Sequence, residues 1–177
     1  TLLNVETAML ETWLKIQASN AESEANSVHF REMYVRLQAD LESQDLPKDP
    51  AKSSELQKDL KKMLAPMMSS HGFSGYIVVD KSMRILGALT DELVGQTAPE
   101  QFDPFLAKVL QGETVVCPPF SSLAMLKDEF GQMRSNVPTM FACAPVRDSS
   151  FQVIGALCMR IRPELEFTRI LQLGRIG

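Results

Sequence analysis

From Thr1 to Gln44 the chain contains neither glycine nor proline, and its apolar residues recur at helical spacing. Leu2, Met9, Trp13 and Ile16 form one such stretch, and Phe30, Tyr34, Leu37 and Leu41 form a second at i, i+4, i+7 and i+11. A helix of about 44 residues would run roughly 66 Å at 1.5 Å per residue, longer than a small domain is wide. The pattern therefore predicts a long N-terminal helix, part of which projects or pairs with another helix. Ala18, Ala21 and Ala25 lie between the two stretches as a stripe of small residues. The stripe suits either a homodimer seam or close packing against the chain's own core.

Asp45 to Ser54, with Pro47 and Pro50, reads as a connecting loop. Leu56, Leu60, Met63, Leu64 and Met67 then mark a second amphipathic helix that ends near Ser70 to Gly72. Beyond Gly72 the period changes to that of strands. Gly75 to Asp80 and Ile85 to Thr90 flank a short turn and read as a β-hairpin. Phe102 to Leu110 has helical spacing and stops before Gly112. Thr114 to Phe120 reads as a third strand stopped by Pro118 and Pro119, and Ser121 to Val137 as a polar excursion. Thr139 to Arg147 and Val153 to Ile161 form a second hairpin, after which Pro163 opens a last helix ending at Gly174. Strands joined by short turns, with the helices gathered elsewhere, predict an antiparallel sheet in an α+β fold.

A chain of 177 residues with 45% hydrophobic content supports one well-buried core. Its formal net charge of −4 gives no electrostatic footprint for nucleic acid or an anionic membrane surface. No apolar run approaches the roughly 20 residues that cross a bilayer. Thr1 falls within a helical pattern and Gly177 follows another, so the chain reads as a piece of a longer protein with any membrane anchor outside it. Cys117, Cys143 and Cys158 form no CxxC pair and have no histidine at metal-ligand spacing, so they read as small buried hydrophobes and no metal is expected. An odd number of thiols fits an oxidising compartment only if they are buried. His29 and His71 are remote from any nucleophile signature, and no phosphate-binding glycine loop occurs. No enzymatic activity and no cofactor are expected.

The order of elements, a long helix followed by five strands, resembles the Cache family of extracytoplasmic sensor domains. Gly75 to Leu86, GYIVVDKSMRIL, is similar to the family's first hairpin. Leu93, Val94 and Gly95, followed by Asp103, Pro104, Phe105, Leu106 and Gly112, resemble its helix region. Ala144 to Gly155, APVRDSSFQVIG, resembles the hairpin that closes its sheet, and Leu171 to Gly177, LQLGRIG, looks like the linker into a second, membrane-proximal module. The resemblance implies a PAS-like five-stranded antiparallel sheet with a long N-terminal helix and flanking helices. It divides the chain into helices over 1–72, a sensor module over 73–162, and a C-terminal helix and linker over 163–177. It also implies the periplasmic part of an inner-membrane receptor that binds a small molecule, with no nucleic acid, and signals through the N-terminal helix. The alternatives are a ligand-free structural or dimerisation module and an intracellular PAS-like sensor.

Amino-acid-binding members of the family hold the ligand carboxylate with an Arg in the helix region and its ammonium with an Asp on the last strand. The matching positions here are Asp103 and Arg160, with both charges reversed, so a free amino acid is not expected. Arg160 facing the pocket would suit an anionic ligand; equally, it could pair with Asp103 or reach solvent. Alternation along the last strand puts Val153, Gly155, Leu157, Met159 and Ile161 on one face, and Ile154, Ala156, Cys158, Arg160 and Arg162 on the other. The first set suits a core against helices and the second a pocket. Tyr76, Phe141 and Cys143 are candidates to line that pocket beside Cys158 and Arg160. The excursion offers Arg134 from a lid.

Overall fold

The structure, a computed structural model, describes residues 2–43, 50–121, 126–127 and 132–174. Three helices lead: α1 (Leu2–Ala25), α2 (Val28–Glu42) and α3 (Pro50–His71). The long glycine-free region is thus two helices and not one, because Asn26 and Ser27 supply a stop and a start. Asn26 turns its side-chain amide back onto the Glu22 carbonyl at 3.0 Å. Ser27 is extended, and its hydroxyl accepts the Phe30 N–H at 3.1 Å, an N-cap for α2. The expected loop over Asp45 to Ser54 is shorter at its far end, since α3 already starts at Pro50, where a missing N–H costs nothing. Residues 44–49 lie outside those described.

The sheet is built from β1 (Gly75–Asp80), β2 (Ile85–Ala88), β3 (Val115–Val116), β7 (Pro138–Arg147) and β8 (Val153–Ile161), in the order β2-β1-β8-β7-β3. Every pairing is antiparallel. Pro118 and Pro119 split the expected third strand, so β4 (Phe120–Ser121) pairs separately with β7. Within the excursion, β5 (Leu126–Lys127) pairs with β6 (Met133–Arg134) as a small ribbon. Helix α4 (Asp103–Leu110) precedes β3, and α5 (Pro163–Gly174) follows β8.

Both hairpins turn by the same device. Asp80 Oδ1 accepts the N–H groups of Ser82 (2.8 Å) and Arg84 (3.0 Å), and Asp148 Oδ1 accepts those of Ser150 (2.8 Å) and Gln152 (3.0 Å). In each turn the fourth residue, Met83 or Phe151, takes a positive φ near 60°. These two Asp-x-Ser turns fix the register of the strands they join.

The sheet is buried on both faces. Against one face lie the helices, with Phe30, Tyr34, Leu37, Leu60 and Leu64 meeting Val78, Leu86, Ala142, Leu157 and Met159. Against the other lie α4 and the β3 region, with Phe102, Leu106, Val109 and Cys117 meeting Ile77, Val79, Phe141, Cys143, Ala156 and Cys158. The small-residue stripe serves the first core: Ala21 and Ala25 are fully buried, so that part of α1 packs on the chain's own sheet and does not form a dimer seam. Trp13 of α1 meets Phe167 of α5 edge-on, with centroids 5.9 Å apart, which ties the first and last helices together.

Two glycines let the helices approach. A Cβ at Gly155 would collide with the Val79 carbonyl oxygen and the Tyr34 ring, and one at Gly87 with Leu60. The approach lets Tyr34 Oη donate to the Ile154 carbonyl at 2.6 Å. Gly155→Ala is expected to destabilise the fold by about 2–3 kcal/mol through overpacking, and Tyr34→Phe by about 1–3 kcal/mol through the stranded carbonyl. Urea unfolding midpoints of the two variants check both figures.

Candidate functional site

The sheet face turned away from α1–α3 carries the candidate site. Strand β8 is central, and from Gly155 onward its side chains alternate between the two cores as the sequence pattern requires. Leu157, Met159 and Ile161 face the helices, and Ala156 and Cys158 face α4. Ile154 departs from the expectation and packs with the helix-side core. The cause is the register shift between Val146 and Arg147, where the pairing steps from Gly155 to Val153 and the alternation changes phase.

Arg160 follows Cys158 on the same face and is 7% exposed. Its strand neighbours are Phe141 on β7 and Gly75 on β1. Gly75 has no side chain, so β1 places nothing over the arginine stem. Arg160 Nε donates to Thr139 Oγ1 at 3.0 Å, while its Nη2 is buried and has no partner. Burial first, and then the positive charge of Arg162, lower the pKa of this guanidinium, with Glu164 acting in the opposite direction. Glu164, in the first turn of α5, is engaged by Arg162 Nε at 3.0 Å. The result is a buried cation that hydrogen-bonds a neutral hydroxyl and lies within the electrostatic reach of Glu164.

Phe102, Phe120 and Phe141 form the apolar wall of this face. Phe102 stands edge-on to Phe120 at 5.1 Å and to Phe141 at 5.2 Å, and Phe120 stacks on Phe141 at 6.2 Å. Behind them lie the three thiols, all buried, with Cys143 directly opposite Cys158. Among the described residues no group of three or more His, Cys, Asp or Glu side chains is arranged to hold a metal ion.

The candidates from sequence divide accordingly. Phe141, Cys143, Cys158 and Arg160 share the face. Tyr76 does not: it is opposite Met159 and belongs to the helix-side core, and Ile77, one residue on, takes the position expected of it. Its buried hydroxyl has no partner, and burial followed by the charge of Asp91 raises its pKa to about 12. Asp103 is exposed in the first turn of α4 and does not pair with Arg160. Arg134 is exposed on β6, outside the buried set. The lid expected over the excursion falls partly on residues 122–125 and 128–131, which lie outside those described. Thr139, Phe102 and Phe120 were not anticipated. Thr139 was open to inference, since it sits two residues before Phe141 and therefore on the same strand face.

The Cys117 thiol is pushed up to about 12 by burial and then by Cys143 beside it, against the Phe141 N–H that it accepts at 3.0 Å. The folded chain keeps this proton, whereas an unfolded thiol releases it near 9.0. Stability from this group is therefore complete below pH 9 and declines as pH rises toward 12. In reducing buffer the unfolding free energy is expected to fall between pH 9 and 10.5, by up to about 1.4 kcal/mol per pH unit for each such group. Cys117→Ala should flatten that slope, as measured by urea titrations across the range.

No family model matches the chain, and no curated protein matches it in sequence. Solved structures do match. The chain is similar to the sensor domain of DcuS from E. coli, with 13% identity over 92% of this chain and 96% of that one, at a TM-score of 0.60. It is also similar to the sensor domain of the V. cholerae histidine kinase DctB, with 12% identity over 98% of this chain and 56% of that one, at 0.53. The periplasmic domain of V. cholerae LuxQ matches with 14% identity over 98% of this chain and 70% of that one, at 0.52. At such identities the likeness is one of fold. The chain has the Cache or PAS-like fold of these periplasmic sensor domains.

Proposed function

We propose that this chain is the extracytoplasmic sensing domain of a bacterial membrane receptor, binding a small anionic molecule at Arg160 and signalling through α1. The reading assigns it no catalytic step. The observation that carries the proposal is the buried Arg160 guanidinium with its Nη2 unpartnered. Burying a guanidinium with part of its donor set unsatisfied is costly, and Glu164 offsets only part of that cost, so a ligand that supplies the missing partner would stabilise the site. A carboxylate or phosphate matches the guanidinium fork, and the phenylalanine wall suits an organic body attached to it. The likeness to sensor domains of DcuS and DctB supports the receptor reading, and the tie between α1 and α5 through Trp13 and Phe167 gives the site a route to the ends of the domain.

The N-terminal helix also offers a face for a second copy of the chain. Val5, Met9, Thr12 and Ile16 follow one another at spacings of 4, 3 and 4 residues and line an open groove with Ala8 and Trp13. This is the seam spacing of a left-handed coiled coil, and Val5 and Ile16 are 53% and 51% exposed. The homodimer contact belongs on this stretch, N-terminal to the alanine stripe.

One observation favours a second reading, a module that binds no ligand: the phenylalanine trio fills part of the face that a ligand would occupy. A thermal-shift screen of organic mono- and dicarboxylates and phosphate esters separates the two. One anion class is expected to raise the Tm of the wild type, and Arg160→Met, with its fold verified by circular dichroism, to weaken that binding at least about tenfold. Absence of any hit, or equal affinity in the variant, removes Arg160 from function. Light scattering is expected to show a dimer for the wild type and a monomer for the Met9→Glu, Ile16→Glu double variant.

A further inference from the structure

We propose that Cys143 and Cys158 become joined by a disulfide when the chain folds in an oxidising compartment, leaving Cys117 as a single buried thiol. The strand register carries the inference. Cys143 on β7 lies directly opposite Cys158 on β8, and both side chains belong to the same buried core. The pair is of the narrow, non-hydrogen-bonded kind. Cys117 N–H donates to the Phe141 carbonyl, so Phe141 and, two residues on, Cys143 direct their backbone polar groups toward β3. Ser74 N–H donates to the Arg160 carbonyl, so Arg160 and Cys158 direct theirs toward β1. No backbone hydrogen bond therefore lies between Cys143 and Cys158. In such pairs the Cα atoms sit about 4.5 Å apart, inside the range of about 4.4–6.8 Å that a disulfide spans.

The same geometry sets Cys117 apart. It is opposite Phe141, so Cys143 is only its diagonal neighbour, at a Cα separation of about 7–8 Å. Its sulfur already accepts the Phe141 N–H at 3.0 Å.

All three thiols are buried, so the oxidant must act before the face closes. The hairpin permits this, because the Asp148 turn holds the β7–β8 register locally and brings the two cysteines together early. In the reaction the two thiols lose two protons and two electrons, and one disulfide of a small-molecule or protein oxidant is reduced to two thiols. Once α4 packs over the face, the new bond is shielded from reductants. One internal bond plus one buried thiol reconciles an odd cysteine count with an oxidising compartment. Occurrence of the bond in the cell rests on the extracytoplasmic reading. Its formation in a glutathione buffer does not, so failure of one is distinguishable from failure of the other.

The test is to refold the reduced 177-residue chain in buffer containing oxidised and reduced glutathione, denature it, alkylate it and map the peptides. The expected result is one alkylated thiol, at Cys117, and a linked pair of peptides containing Cys143 and Cys158. Reduction is expected to lower the Tm by roughly 6–12 °C for a loop of this length in a domain of this size. Cys117→Ala should still form the bond, and the Cys143→Ala, Cys158→Ala double variant should show no response of Tm to reductant. Three alkylated thiols in the refolded chain, or a bridge that includes Cys117, would overturn the proposal.

Discussion

Burial of the central strand β8 on both faces is the constraint from which the rest of the structure follows. Its alternate side chains feed two separate cores, one closed by α1–α3 and the other by α4 and the β3 region. A strand in this position cannot shift by one residue without exchanging the two sets, so its register is held by every contact on either side. The Asp148 turn sets that register locally, and pairing with β1 and β7 extends it across the sheet. Gly155 is the point where helix and sheet meet most closely, and it also marks where the pairing slips past Ile154.

Two-sided burial explains why a charged residue on β8 is conspicuous. Arg160 occupies a position in a row of small apolar side chains, where a hydrophobe would cost less free energy. The fold supplies it with one hydroxyl, from Thr139, and leaves part of the guanidinium without a partner. Its neighbour Arg162 donates from Nε to Glu164 at the start of α5, while Arg162 Nη2 and Glu164 Oε2 are likewise buried without a hydrogen-bond partner. A buried cation that the protein only half satisfies is costly to the fold, which is the ground for the proposed anion site. The next charged pair along, Arg162 with Glu164, spans the junction between β8 and α5, which packs against α1 through Phe167 and Trp13. Arg160 thus lies three residues before the helix that packs against α1.

The cysteines take their character from the same strand pairing. Cys143 and Cys158 are neighbours only because β7 and β8 are paired in this register, and Cys117 joins them only because the β3 region crosses β7 at Phe141. Burial holds Cys117 far from the thiolate form at neutral pH, so it behaves as an apolar core residue.

The sequence by itself determined the two hairpins, β1–β2 and β7–β8, but not the split of the third strand into β3 and β4 or the β5–β6 ribbon. Alternation in Val153–Ile161 and the two Asp-x-Ser turns require only local chemistry, and the observed β8 has the bounds that the pattern predicts. It also grouped Phe141 with Cys143 and Cys158 with Arg160, because a period of two follows from the pleat, while the β7–β8 register put both pairs on one face. Local signals for the break at Ser27 were present too, but an uninterrupted apolar period masked a single capping serine. Only the tertiary structure decided which side of the sheet Tyr76 joins, since two hydrophobic faces on one strand cannot be told apart by pattern when both are buried. It likewise decided that Ala21 and Ala25 meet the chain's own sheet, and that Arg160 binds Thr139 and not Asp103. These outcomes depend on pairings between segments far apart in the chain, which no local period encodes.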